Sequence, residues 1–234
     1  MRPFDRDSCT SCKDGYRAGV LGFFSFTEVT DPSAHRAYNE WHQMDHMPEQ
    51  FSIEGVTFGQ RWVCTPRCVE ARVSVSPLLE PCQYMTLYLM RDAGVIPEFK
   101  ALAARLWKED RFFAARHSHL NGPFEVRQRW AASRVRVSPD AVPFRPARGV
   151  YIVVGPMVDG AAMAEQGEVA GAWQFADGVT GRHITVAFVD GDLYRATADL
   201  SDLSLGAGST PEWAGPLETI DASQWGWFDK LSPQ

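Results

Sequence analysis

The sequence predicts an α+β fold made of two tandem βαββαβ units, on three observations. Residues 19–135 run in the order strand, helix, strand, strand, helix, strand; a proline-rich joint follows; and a similar order restarts beyond it. A βαββαβ run is the ferredoxin-like unit, a split βαβ with an antiparallel sheet.

Residues 1–18, rich in charge and turn formers, read as a flexible N-terminal tail. GVLGFFSFTEV (19–29) is aromatic and β-branched, hence a strand. TDPSAHRAYNEWHQMDHM (30–47) reads as a helix, with Thr30 or Asp31 as N-cap and Pro32 in the first turn, where a missing N–H costs nothing. Pro48 disfavours helix at Met47, so the helix is expected to end there. VTFGQRWV (56–63) is the second strand, and residues 64–82 form an excursion long for a plain hairpin loop. QYMTLYLMRD (83–92) is the third strand, PEFKALAARLWKEDRFFAARH (97–117) an amphipathic helix, and FEVRQRWAASRV (124–135) the fourth strand.

The first unit thus spans 19–137 and the linker SPDAVPFRPARG 138–149. The second unit, 150–234, reads as strand 150–157, weak helix 159–171, a strand pair at 172–179 and 183–192, helix 192–203 and a closing strand within 217–228.

Composition narrows function by exclusion. The net charge of −6 argues against a general nucleic-acid binder. Eight arginines between Arg111 and Arg148 run the other way: either an exposed face and linker, or a local patch for a carboxylate or phosphate on a small substrate. No stretch approaches the roughly 18 apolar residues of a membrane span, and VLGFFSF (20–26) does not sit as a signal sequence does, so a cytoplasmic address is expected. Five cysteines point to reduced thiols. Cys9, Cys12, Cys64 and Cys68 could together hold a structural zinc, but the first pair lies in the tail and no histidine pair follows at finger spacing, so no metal is expected.

On the first helix, at about 100° per residue, Ala37, Trp41, Met44, Met47 and Phe51 fall in one arc, read as the core face. His35, Asn39, His42, His46 and Glu49 fall opposite, with Tyr38 and Asp45 on the flank. That polar stripe is either solvated or, through His42, His46 and Glu49, a metal site; Gln43 in place of a general-base glutamate excludes zinc-protease chemistry. On the strands, an apolar set (Phe24, Phe26, Phe58, Trp62, Leu87, Leu89) alternates with a mixed set holding Arg61, Tyr84, Thr86 and Tyr88. The apolar set is expected under the helices.

Tyr38, Asn39, Trp41, the Asp45-His46-x-Pro48 stop, Gly55, and the strand with Phe58, Arg61 and Trp62 together resemble the dimeric α/β-barrel superfamily, most nearly its EthD-like and stress-responsive members. Asp45 stands where those families often carry glutamate. The resemblance covers residues 19–135 by motif and 149–228 by topology. It implies two four-stranded sheets facing each other as an eight-stranded barrel with helices outside, here within one chain. It also implies a range of activities: isomerases, dehydratases, cyclases, cofactor-free monooxygenases and haem-degrading enzymes.

In such a barrel the mixed strand set is expected to face a ligand cavity inside. His46, near the helix end, is expected to be raised in pKa by the helix C-terminus and to move a proton, or else to cap the helix. Arg61 and Tyr84 or Tyr88 are expected to hold developing negative charge. Tyr38, His42, Trp62, Thr86 and, from the second unit, His183 complete the predicted binding set. The expected function is dehydration, isomerisation, cyclisation or cofactor-free oxygenation of a small, partly apolar, oxygenated metabolite, with no resident cofactor. A small-molecule substrate and at most a second copy in a homodimer are the expected partners. The alternatives are a non-catalytic ligand-binding or assembly barrel, and a haem-binding barrel.

Overall fold

Asp31 accepts a hydrogen bond from the Ser33 amide, Asp92 from Gly94, and Asp192 from Tyr194 and Arg195, so three of the turns into helix are fixed by an aspartate as capping requires. Between such caps a computed structural model describes residues 20–206 and 210–221. The first half holds β1 (Leu21–Val29), α1 (His35–Trp41), a π-helical turn (His42–His46), α2 (Met47–Phe51), β2 (Val56–Val63), α3 (Pro66–Ala71), β3 (Ser74–Val75), β4 (Tyr84–Met90), α4 (Ile96–Lys108) and β5 (Arg116–Ala131). The second holds β6 (Gly149–Gly155), α5 (Gly160–Ala164), β7 (Val169–Ala176), β8 (His183–Val189), α6 (Leu193–Leu205) and β9 (Trp213–Thr219).

The strands run in the order β2-β4-β1-β5-β7-β8-β6-β9, and β9 returns to β2 with Trp62 opposite Thr219 and Val63 opposite Glu218. All pairings are antiparallel, and the short β3 adds to β9. Each half contributes four strands in ferredoxin-like order. The fold is therefore α+β, two tandem ferredoxin-like units closed into an eight-stranded barrel. No helix among the described residues is long and apolar enough to cross a membrane.

The predicted elements differ from the observed ones in five places, one of them in the second unit, where the weak helix ends at Ala164 and β7 begins at Val169, inside the span expected to be helical. Helix does not stop at Pro48; it passes through it into α2, because the preceding π turn absorbs the missing N–H. α4 ends at Lys108 rather than near 117, where Asp110 turns left-handed (φ 54°), and the released chain lets β5 begin at Arg116. The excursion at 64–82 contains α3 and β3, and the closing strand is 213–219, earlier than expected. The tail, with Cys9 and Cys12, and the tryptophans after residue 221 lie outside the described residues.

The largest correction concerns the two faces of the sheet. Phe24, Phe26, Trp62, Leu87 and Leu89 do not lie under helices; they fill the barrel interior with Phe175, Phe188 and Trp213 from the other half. Phe24 meets Phe175 edge-on at 4.9 Å across that interior. Burying each such side chain is worth about 1.5–3 kcal/mol, and a closed barrel supplies the apolar surroundings from both walls. Gly22 on β1 shows how close the walls come: a Cβ there would stand 2.6 Å from the Phe175 ring. The interior is packed, not a ligand cavity. The mixed set, Arg61, Tyr84, Thr86 and Tyr88, faces outward, beneath α1 and α2.

The two helix–sheet layers differ in chemistry. In the second half Tyr151, Val153, Met163, Val189 and Leu200 pack into an apolar layer under α5 and α6. In the first half, part of the layer under α1 and α2 is polar.

Candidate functional site

α1, the π turn and α2 bury their polar stripe. His35, Asn39, His42, His46 and Gln50 are at most 7% exposed, whereas Met44 and Phe51 are 59% and 47% exposed. The three histidines and Asn39 that helical phase grouped do share one face, but it faces inward, against the expectation of a solvated face, and beyond the π turn Gln50 takes the place expected for Glu49, which pairs with Arg111 instead. The reason is the sheet: with its apolar face turned to the barrel interior, its tyrosine- and arginine-bearing face meets the helix, and polar groups there find partners. Two inversions cancel, so the predicted residues still meet.

The π turn sets their spacing. Pro48 carries no N–H, and the Met47 amide bonds the His42 carbonyl, five residues back. His42 and His46 then share the inner face with ring centroids 5.2 Å apart. π turns recur at functional sites for this kind of redirection.

A hydrogen-bonded chain crosses the layer. Tyr84 Oη lies 2.8 Å from His35 Nδ1 and accepts from Asn39 Nδ2 at 3.0 Å. Asn39 Oδ1 accepts from Arg61 Nη2 at 2.7 Å. Arg61 is 1% exposed, its Nε and Nη1 have no partner, and no carboxylate among the described residues lies within ion-pair distance. Its guanidinium sits 5.2 Å from the centre of the Tyr38 ring. His42 Nδ1 meets Tyr38 Oη at 3.1 Å and its Nε2 meets Tyr88 Oη at 3.4 Å. His46 stacks on Trp41 at 4.6 Å, its Nε2 lies 3.3 Å from Gln50 Nε2, and its Nδ1 is buried without a partner.

Beside this chain lies a cavity of about 300 Å³, with His42, His46, Thr86, Tyr88, Phe112 and Arg116 among its walls. A second cavity, of about 450 Å³, touches the other side of His46 and carries Asp45, Glu49 and Asp110.

The charge state follows from burial. His46 is lowered to about 3, first by desolvation and then by Arg116 and Arg61. His42 is held well below its ordinary value by desolvation first, with Arg61, His46 and Arg116 adding. The expected upward push of a helix C-terminus on His46 is overridden, and both imidazoles are neutral at pH 7. Burial raises the Tyr84 and Tyr88 phenols, which stay protonated.

Of the predicted residues, His42, His46, Thr86 and Tyr88 line the smaller cavity, and Tyr38, Tyr84 and Arg61 stand behind it. Trp62 belongs to the barrel interior, and His183 opens β8 in the second half, paired with Gly155 and Ala176. Sequence reasoning missed Arg116, Gln50 and Phe112. Arg116 had a signal, since it belongs to the arginine-rich stretch after residue 110. Cys64, Cys68 and Cys82 are free and buried, and no group of three or more potential metal ligands occurs among the described residues.

The fold places the chain among ferredoxin-like α/β-barrel proteins of tandem type. Among solved structures it is similar to a chlorite dismutase variant from Candidatus Nitrospira defluvii solved with cyanide (10% identity, 93% of this chain and 96% of that one, TM-score 0.53). It is also similar to a candidate monooxygenase from Fusobacterium nucleatum (9%, 88% and 94%, TM-score 0.51). A haem-binding protein from Thermus thermophilus aligns at 10% identity over 90% of this chain and 94% of that one, with a TM-score of 0.49. No family model and no curated protein matches the chain. Against the expectation of a barrel with no resident cofactor, the fold is shared with chlorite dismutases.

Proposed function

We propose that the chain is a small-molecule enzyme whose site is the cavity beneath the π turn, where His46 exchanges a proton with a bound, partly apolar, oxygenated ligand. The observation that carries this reading is His46 itself: a buried neutral imidazole, stacked on Trp41, with Nδ1 unpartnered, on the wall of the cavity. Trp41 holds the ring by stacking, and Gln50, with its amide turned so that the otherwise unpartnered Oε1 accepts from His46 Nε2–H, leaves Nδ1 unprotonated as a general base requires. In the tautomer that carries its proton on Nε2, His42 accepts from Tyr38 and donates to Tyr88. The Tyr88 proton is then left for a ligand oxygen, an arrangement suited to a developing oxyanion. Tyr84 acts at a remove, holding Asn39 and through it Arg61. Proton abstraction beside a carbonyl, followed by isomerisation, dehydration or cyclisation, needs these parts.

Haem does not fit this arrangement. His46 Nδ1 is a buried imidazole nitrogen without a partner, but the two cavities that touch it, about 300 and 450 Å³, lie in the lower part of the roughly 300–1,000 Å³ range of small-ligand sites, short of a tetrapyrrole. Both nitrogens of His42 are engaged, and the equivalent layer of the second half is filled by apolar side chains.

The test is deuterium uptake from heavy water into a panel of enolisable carbonyl compounds, followed by NMR. Wild-type protein is expected to speed uptake for at least one compound, and His46→Gln to lose about 100-fold or more of it. Full exchange in His46→Gln defeats the assignment. A Soret band on adding haemin, absent from His46→Ala, replaces it with a haem site.

A further inference from the structure

The walls of the His46 cavity are unevenly charged. Arg116 and Lys100 line it and no aspartate or glutamate does. Arg116 is the first residue of β5, its Nε has no partner, and its guanidinium lies 4.1 Å from the centre of the Phe112 ring. No carboxylate among the described residues reaches it, and Arg61 behind it is equally without one. Two guanidinium groups sunk into one layer are costly to keep there unless something supplies the counter-charge. On the far side of His46 acids outnumber bases, with Asp45, Glu49 and Asp110 beside Arg111 in the second cavity. Phe23, Phe99 and Phe112 add an apolar stretch to the wall, a surface for a flat ring.

We infer that the cavity takes an anion: a small molecule with a flat apolar body and one oxyacid group, a carboxylate by size, held by Arg116 with Lys100 at the mouth. The inference rests on the site reading above but not on its chemistry, since an anion can bind where no proton moves. Arg116 is suited to the task because a guanidinium presents paired donors to an oxyacid while stacking on an aromatic face. A negative charge here also offsets the repulsion that Arg116 and Arg61 exert on a protonated His46. Ligand charge and proton transfer are thereby linked.

The test is calorimetric titration, at fixed ionic strength, with benzoate, uncharged benzamide and phenyl phosphate. It uses wild type, Arg116→Gln, Arg116→Lys and His46→Gln, each checked for a native melting transition. Benzoate is expected to bind wild type about 10- to 100-fold more tightly than benzamide. The ratio should fall to near one in Arg116→Gln, recover in part in Arg116→Lys, and persist in His46→Gln. Tighter binding of phenyl phosphate keeps the anion and makes phosphate the group. Equal binding of benzoate and benzamide, no binding of any of the three, or an unchanged ratio in Arg116→Gln overturns the inference. Anion preference without deuterium exchange leaves the ligand class standing and removes the proton-transfer reading.

Discussion

Asn39 Oδ1 accepts a 2.7 Å hydrogen bond from Arg61 Nη2, and this amide is the nearest thing to a counter-ion the buried guanidinium has. The same side chain donates to Tyr84 Oη and to the His35 carbonyl, so α1, β2 and β4 meet at one residue.

Asn39→Ala should therefore cost roughly 2–3 kcal/mol, the worth of a buried hydrogen bond to a charged group. Arg61→Met should be neutral or stabilising, since it removes a buried cation that nothing neutralises. In the double variant the Asn39 penalty should shrink, because the group it served is gone. Denaturant melts of the four proteins give the coupling energy, and additive effects would show that the two do not depend on each other.

Acid should destabilise the protein from near neutrality downward. His42 and His46 are depressed in the folded state, so below their ordinary value of 6.5 the unfolded chain binds more protons, through His46 down to about pH 3. Stability is fully present above 6.5 and is lost as pH falls. The melting temperature is expected to drop between pH 7 and pH 5, and to drop less in His46→Gln. An equal slope in that variant would assign the effect to other groups.

Gly22→Ala should destabilise by about 1–3 kcal/mol, because its Cβ enters the Phe175 ring across the barrel interior and neither wall can retreat freely. A thermal melt checks it. A neutral result would mean that the interior is looser than its packing.

The thiols of Cys64 and Cys82 should resist alkylation in the native protein. Burial pushes both up to about 12, which leaves almost no thiolate at pH 7. Peptide mass mapping after iodoacetamide should find both unmodified natively and modified in denaturant.

Much of this is legible in the chain. β2 reads at its observed bounds because alternation and flanking glycine coincide there, and the helical phase groups His35, Asn39, His42 and His46 correctly. What periodicity cannot give is which of two faces turns inward when both sides of a sheet are covered. Phe24 and Tyr84 both end at most 1% exposed, on opposite faces. Hydrophobic contrast settles inside from outside only where one face meets water. Arg116 is hidden because the amphipathic pattern of α4 runs on past it in the sequence, whereas in the fold Asp110 breaks the helix first. The packed barrel interior leaves no room for a ligand, and the cavity lies in the neighbouring helix–sheet layer.

The seams β2–β9 and β5–β7 join the two halves by hydrogen bonds, and the segment between β5 and β6 joins them covalently. Two separate copies of one unit would have to carry the same chemistry on both sides of their shared interface. A single chain is released from that symmetry, so one half can serve as ballast, dry and close-fitted, while the other tolerates buried cations and open space.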